Sequence, residues 1–255
     1  MDKTYHKTQE MSILLEKQSF PSSDFCLQLN DMFIFPHNMD GFHIWEAGIV
    51  LSRFIIFNKG LFEDKRVLEL GTGVGIGGIT VLKYTKAKEV TLSDYRDDIL
   101  RNVEKNIIKN SMKHKHNKIS PYEIKGENCT LCGANRGSIL NLNWVNYDKF
   151  DLKYDIIIGS DLIYKGAPLK ELANLIISAL ELNGQAYILV PNKRGAIEDF
   201  LKEIDEGKKV KYDKIELLEG KYYLSALENE EEGLKYYPGL KELVFSVYIF
   251  TKILE

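Results

Sequence analysis

One stretch, Val67-Leu68-Glu69-Leu70-Gly71-Thr72-Gly73-Val74-Gly75-Ile76-Gly77-Gly78, leaves this chain few folds to choose from. A short apolar run carries an acid near its end, and glycines follow at every second position. Ile79, Val81, Leu82 and Tyr84 then recur at helical spacing. The spacing predicts a buried strand, a tight turn and a helix. Glycine tolerates positive φ and lets a ligand press against main-chain N–H groups at a helix start.

The register weighs two nucleoside-binding patterns against each other. A Gly-x-Gly-x-x-Gly loop counted from Gly71 meets Ile76 at its third glycine; counted from Gly73 it fits but begins late. Glu69-x-Gly71-x-Gly73-x-Gly75 fits without slippage. The next strand-like run, Glu89-Val90-Thr91-Leu92-Ser93-Asp94, ends in an acid 23 residues after Gly71. A carboxylate there can accept both hydroxyls of a ribose, from a nicotinamide or an S-adenosyl nucleoside alike.

Strand and helix patterns alternate through the rest. Residues 1–40 read as a polar N-terminal arm, with Phe33-Ile34-Phe35 a short strand stopped by Pro36. Ile49 to Ile56 is a hydrophobic helix headed by Trp45. Further helices are predicted over 96–110, 169–180 (closed by Asn183-Gly184 as a C-cap) and 197–204. Strands are predicted at 139–144, 154–161, 186–191 and 242–250, and residues 216–237 read as irregular. The run at 154–161 is nearly continuous in apolar residues, as a central parallel strand buried on both faces requires. This order predicts an α/β fold with a doubly wound parallel sheet and its ligand at the carboxyl ends of the strands. Trp45, Gly71, Asp94, Trp144, Ser160 and Asp161 all fall at such ends or at a helix start.

Residues 111–138 break the pattern with Lys113, His114, Lys115, His116 and Lys118, and read as a polar surface insertion. His114 and His116 with Cys129 and Cys132 suggest a zinc knuckle, but His-x-His is not the usual partner of Cys-x-x-Cys, so no metal is expected.

Composition narrows the class. With 255 residues, 44% hydrophobic and 28% charged, one domain over 41–255 behind the arm is expected. A net charge of −3 makes no global electrostatic case for nucleic acid. No apolar run approaches the roughly 18 residues of a membrane span, and the first residues lack the apolar core of a leader. Three cysteines, an odd count, point to a reducing cytoplasm rather than a disulfide scaffold. A monomer is expected.

Five features, Trp45, Glu69-Leu70-Gly71-Thr72-Gly73, Asp94, Leu142-Asn143-Trp144 and Ser160-Asp161-Leu162-Ile163-Tyr164, resemble the lysine methyltransferase group (family 16) of the seven-strand, Rossmann-like methyltransferases. The last is similar to that group's Asp/Glu-x-x-Tyr signature, and the resemblance runs from Gly41 to Phe250. It implies a seven-strand sheet with the last strand antiparallel, S-adenosyl-L-methionine as cofactor and a lysine of a protein as methyl acceptor. It also implies roles. Trp45, Gly71, Thr72 and Gly73 would hold the methionine end, with Glu69 in the same cofactor site. Asp94 would take the ribose, Trp144 would lie beside the adenine and Ser160 would line the pocket. Asp161 and Tyr164, the catalytic candidates, would border the entry of the lysine. Pro191-Asn192-Lys193-Arg194-Gly195 and residues 216–237 are similar to the calmodulin-lysine methyltransferase branch. Two alternatives stay open: a methyltransferase acting on a small molecule or another side chain, and a non-catalytic nucleoside-binding module.

Overall fold

The computed structural model describes residues 45–111, 129–130, 136–147, 151–192, 195–206, 208–218, 240 and 243–254. In chain order their elements are α1 (Glu46–Phe57), β1 (Arg66–Glu69), α2 (Ile76–Tyr84), β2 (Glu89–Asp94), α3 (Asp97–Ser111), β3 (Cys129–Thr130) and β4 (Arg136–Asn141). There follow β5 (Tyr154–Ser160), α4 (Leu169–Ala179), β6 (Leu180–Pro191), α5 (Ile197–Asp205), β7 (Val210–Leu217) and β8 (Phe245–Lys252).

The strands form one sheet in the order β3-β4-β2-β1-β5-β6-β8-β7. β4, β2, β1, β5 and β6 pair in parallel. β8 runs antiparallel to both β6 and β7, and the two-residue β3 pairs antiparallel with β4. Apart from β3 this is the doubly wound seven-strand sheet with a reversed last strand. The chain lays β2 and β4 to one side of β1, then β5 and β6 to the other. The crevice above β1 is therefore the switch point where such sheets bind ligands.

Alternation along the strands feeds two cores. Val67, Val90, Ile156 and Ile158 pack with α1, α2 and α3, while Leu68, Ile157 and Ile188 pack with α4 and α5. Helix α1 is buried over Ala47 to Ile55, which explains its nearly unbroken apolar sequence. Among the described residues no helix is long and apolar enough to cross a membrane.

Several boundaries differ from the sequence reading. The Asn183-Gly184 pair does not cap a helix: α4 ends at Ala179 and Leu180 already pairs with Tyr154. Asn183 does take a positive φ of +65°, within an irregularity of β6 where the pairing shifts between Tyr154 and Ile156. Strand β4 begins at Arg136, inside the expected insertion, because it follows β2 from Glu89 onward. It ends at Asn141, so Trp144 lies in a 3-10 turn over Trp144–Asn146 that Asn143 caps by accepting the Val145 N–H. β7 covers part of the stretch read as irregular. His114, His116, Cys132 and Phe33–Phe35 lie outside the described residues.

Candidate active site

Three alternate glycines shape the loop after β1. Gly71, Gly73 and Gly75 take φ of +57°, +53° and +87°, a region a side chain would strain. The Leu70 N–H donates to the Ile158 carbonyl at 3.0 Å and the Thr72 N–H to the Ser93 carbonyl at 2.8 Å, so both neighbouring strands hold the loop. The Gly75 N–H closes the turn on the Thr72 carbonyl at 2.8 Å.

Glu69 binds this loop from beneath. Only 4% exposed, its carboxylate accepts the Thr72 hydroxyl and the N–H groups of Gly77 and Gly78, two first-turn donors of α2 that have no partner inside the helix. Burial pushes its carboxyl up to about 7; the bonds from Thr72, Gly78 and Gly77 oppose that, and the nearby charge of Asp94 adds to it. The close fit accounts for two more glycines. A Cβ on Gly77 would lie 2.3 Å from Glu69 Oε1, and one on Gly78 would lie 2.7 Å from Oε2.

Asp94 ends β2 and is 6% exposed. Its carboxylate accepts the Gly73 N–H at 3.3 Å and the Arg96 N–H at 3.2 Å. Burial raises its carboxyl above the usual range, while the N–H groups of Arg96, Gly73 and Tyr95 pull the other way.

The remaining residues arrive from three further elements. Trp45, 40% exposed, is the residue before the first turn of α1. One turn on, a Cβ at Gly48 would lie 2.9 Å from Ile76 Cγ2 and 3.9 Å from Ser160 Oγ, so the starts of α1 and α2 meet the end of β5. The Trp144 ring lies against Gly71, with Cζ2 3.3 Å from where a Cβ would stand. Asp161, just beyond β5, has φ of +56°, uncommon for a residue other than glycine, and its N–H donates to the Leu189 carbonyl at 2.9 Å. Tyr164 is 44% exposed at the same end of the sheet.

Hydrogen bonds thus join Glu69 to Thr72 and Gly73 to Asp94 across the loop at Gly71, with Trp144 packed on Gly71 and the first turn of α1, behind Trp45, meeting Ser160 at the end of β5. Asp161 and Tyr164 follow β5 on a segment whose Leu162 touches Gly71. Sequence reasoning missed Gly77, Gly78 and Leu162. The paired glycines inside a helical pattern were the only local signal for the first two, and Leu162 carried none. A cavity of about 530 Å³ lies elsewhere, between α4 and α5 near Lys153 and Lys252, and contains none of these residues.

Residues 36–129 match the family model described as lysine methyltransferase. Among curated proteins, the chain is similar to protein-lysine N-methyltransferase EFM3 of Chaetomium thermophilum, at 31% identity over 58% of this chain and 44% of that one. It is 28% identical to calmodulin-lysine N-methyltransferase of Arabidopsis thaliana, over 72% of this chain and 57% of that one. Histidine protein methyltransferase 1 homolog of Dictyostelium discoideum is 30% identical over 58% and 42%. The matches span about half the length of these relatives. Of the solved structures, PH1948 of Pyrococcus horikoshii shares the fold, with a TM-score of 0.52 at 14% identity over 98% of this chain and 100% of that one. The sheet order is that of the seven-strand, Rossmann-like methyltransferase fold, and over residues 36–129 the chain is similar to the lysine methyltransferase family.

Proposed function

We propose that the chain is an S-adenosyl-L-methionine-dependent protein-lysine N-methyltransferase. The observation that carries this reading is a junction: the nucleoside-type loop at Gly71 is packed against the segment that bears Asp161 and Tyr164. The residues fit the cofactor. Three positive-φ glycines leave backbone open to a ligand, and a carboxylate, an exposed tryptophan and a serine hydroxyl stand at the same strand and helix ends.

S-Adenosylmethionine supplies a methyl group on a sulfonium, ready for in-line displacement. In this reading Gly71, Thr72, Gly73 and Trp45 hold its methionine end. Asp94 takes the ribose hydroxyls, Trp144 and Ser160 line the pocket, and Glu69 keeps the loop in shape from below. Asp161 orients the incoming amine. A free lysine, with a pKa of about 10.4, must first lose a proton, and a partly desolvated channel walled by Tyr164 favours the neutral form. The same ring attracts the cationic methylated product.

An open rim supports a macromolecular acceptor over an enclosed small molecule: Trp45, Tyr95 and Tyr164 are all substantially exposed. The net charge of −3 supports a protein rather than nucleic acid, the odd count of three cysteines supports the cytoplasm, and we take the chain to act as a monomer. The histidine methyltransferase relative keeps a second reading open, in which another side chain takes the methyl group.

The test is a calorimetric titration with S-adenosylmethionine, then transfer of a labelled methyl group to proteins of a lysate and amino-acid analysis of the product. Micromolar binding and labelled methyl-lysine are expected. Labelled methyl-histidine would move the acceptor to the second reading, and no binding by the folded protein would overturn the function.

A further inference from the structure

Leu162 occupies space that two glycines leave for it. Its Cδ2 lies 2.7 Å from where a Cβ on Gly71 would stand, and its Cδ1 lies 2.5 Å from the same point on Gly159. No real side chain fits at either distance, so the leucine touches the backbone of the cofactor loop on one side and of β5 on the other. It is 5% exposed and packs in the same core cluster as Leu70 and Leu142, with Trp144 against that cluster.

This places an apolar wedge between two functional segments. On one side are Gly71 and the Trp144 ring. On the other is Gly159 of β5, and Leu162 itself belongs to the segment that carries Asp161, held in the left-handed region, and Tyr164, two residues beyond Leu162. Asp161 is also anchored by its N–H on the Leu189 carbonyl, so the segment has one fixed point on β6 and a second at Leu162. Close-packed contacts of this kind move together or not at all, because an interior has little free volume in which one partner can shift alone.

We infer that Leu162 is a positioning residue that couples the loop at Gly71 to the Asp161–Tyr164 segment, so that a bound nucleoside orders the segment that receives the methyl acceptor. The inference rests on the function proposed above and adds an order of binding: nucleoside first, acceptor second. A bound nucleoside holds Gly71 against Leu162, and Leu162 holds Asp161 and Tyr164 in place. Without the nucleoside the wall at Gly71 keeps its bonds to the neighbouring strands but lacks the ligand's contacts, and the segment opens more often.

Hydrogen exchange tests this with S-adenosylhomocysteine as the probe, on wild type, Leu162→Ala and Leu162→Met. In wild type the probe should slow exchange at residues 162–165 about fivefold relative to the free protein. In Leu162→Ala that ligand-dependent slowing should fall below about twofold while the loop itself still binds, and Leu162→Met, which keeps the volume, should restore it. A merely structural role would speed exchange with and without ligand alike and leave the ratio unchanged. Should Leu162→Ala not fold, Leu162→Val carries the test, with an intermediate ratio expected. Full ligand-dependent protection in the truncated variant, or none in a wild type that binds the probe, overturns the coupling. A wild type that does not bind the probe overturns the nucleoside reading itself.

Discussion

The carboxylate of Asp94, last residue of β2, accepts the backbone N–H of Gly73 at 3.3 Å. The acid expected to take a ribose therefore also ties its own strand to the glycine loop. The two roles separate by substitution. Asp94→Asn keeps an acceptor for Gly73 but loses the charge; Asp94→Ala loses both. Since a hydrogen bond to a charged group is worth about 1.5–3 kcal/mol, affinity for S-adenosylmethionine should fall about tenfold in the first and about a hundredfold in the second. Calorimetry on both variants checks this, and equal losses would remove the loop-tying role.

Glu69 should make stability depend on pH in an unusual direction. Burial holds its folded value at about 7 against an ordinary 4.5, so between those values the folded state carries more protons than the unfolded one. The stability it contributes is complete below about 4.5 and is lost as the pH rises through about 7, a change of roughly 3 kcal/mol. Asp94, also raised by burial, adds in the same direction. Glu69→Gln cannot titrate, and its urea-unfolding free energy should lose most of that slope. An unchanged slope would place the titration elsewhere.

Gly77 and Gly78 should resist alanine although neither has a positive φ. A Cβ on Gly78 would stand 2.5 Å from Leu92 Cγ as well as against Glu69. Overpacking of about 1–3 kcal/mol should outweigh the gain of about 0.5–1 kcal/mol from better helix propensity. Gly60→Ala, with nothing within 4 Å, is the control and should stay within about 0.5 kcal/mol of wild type. Denaturant midpoints for the three variants decide it.

Asp161→Gly separates fold from function. Glycine accepts the φ of +56° without strain, so the variant should be at least as stable as wild type and bind S-adenosylmethionine equally well. Methyl transfer to lysate proteins should drop by about a hundredfold or more, because the group proposed to orient the amine is gone. Transfer at the wild-type rate would remove Asp161 from the reaction.

What the sequence determined by itself was local. The alternation of Gly71, Gly73 and Gly75 is a demand for positive φ at each of those positions, and the acids at Glu69 and Asp94 stand at strand ends that the apolar runs before them define. Such signals depend on the backbone preferences of single residues and on short periodicities, so they survive without a fold. Tertiary structure decided what depends on a distant neighbour. Strand β7 has six of its eight residues exposed, with Lys211, Asp213, Lys214 and Glu216 among them, and no apolar alternation announces it; it is a strand because β8 offers it an edge. Asn183 signals a positive φ truthfully, but whether that bend ends a helix or interrupts a strand depends on Tyr154, which claims Leu180 for β6. Glu69 finds its donors at Gly77 and Gly78, and Leu162 meets Gly71 across 91 residues of chain. Packing contacts of that range leave no trace in the periodicity of either partner, because each is apolar or small for reasons that only the other residue supplies.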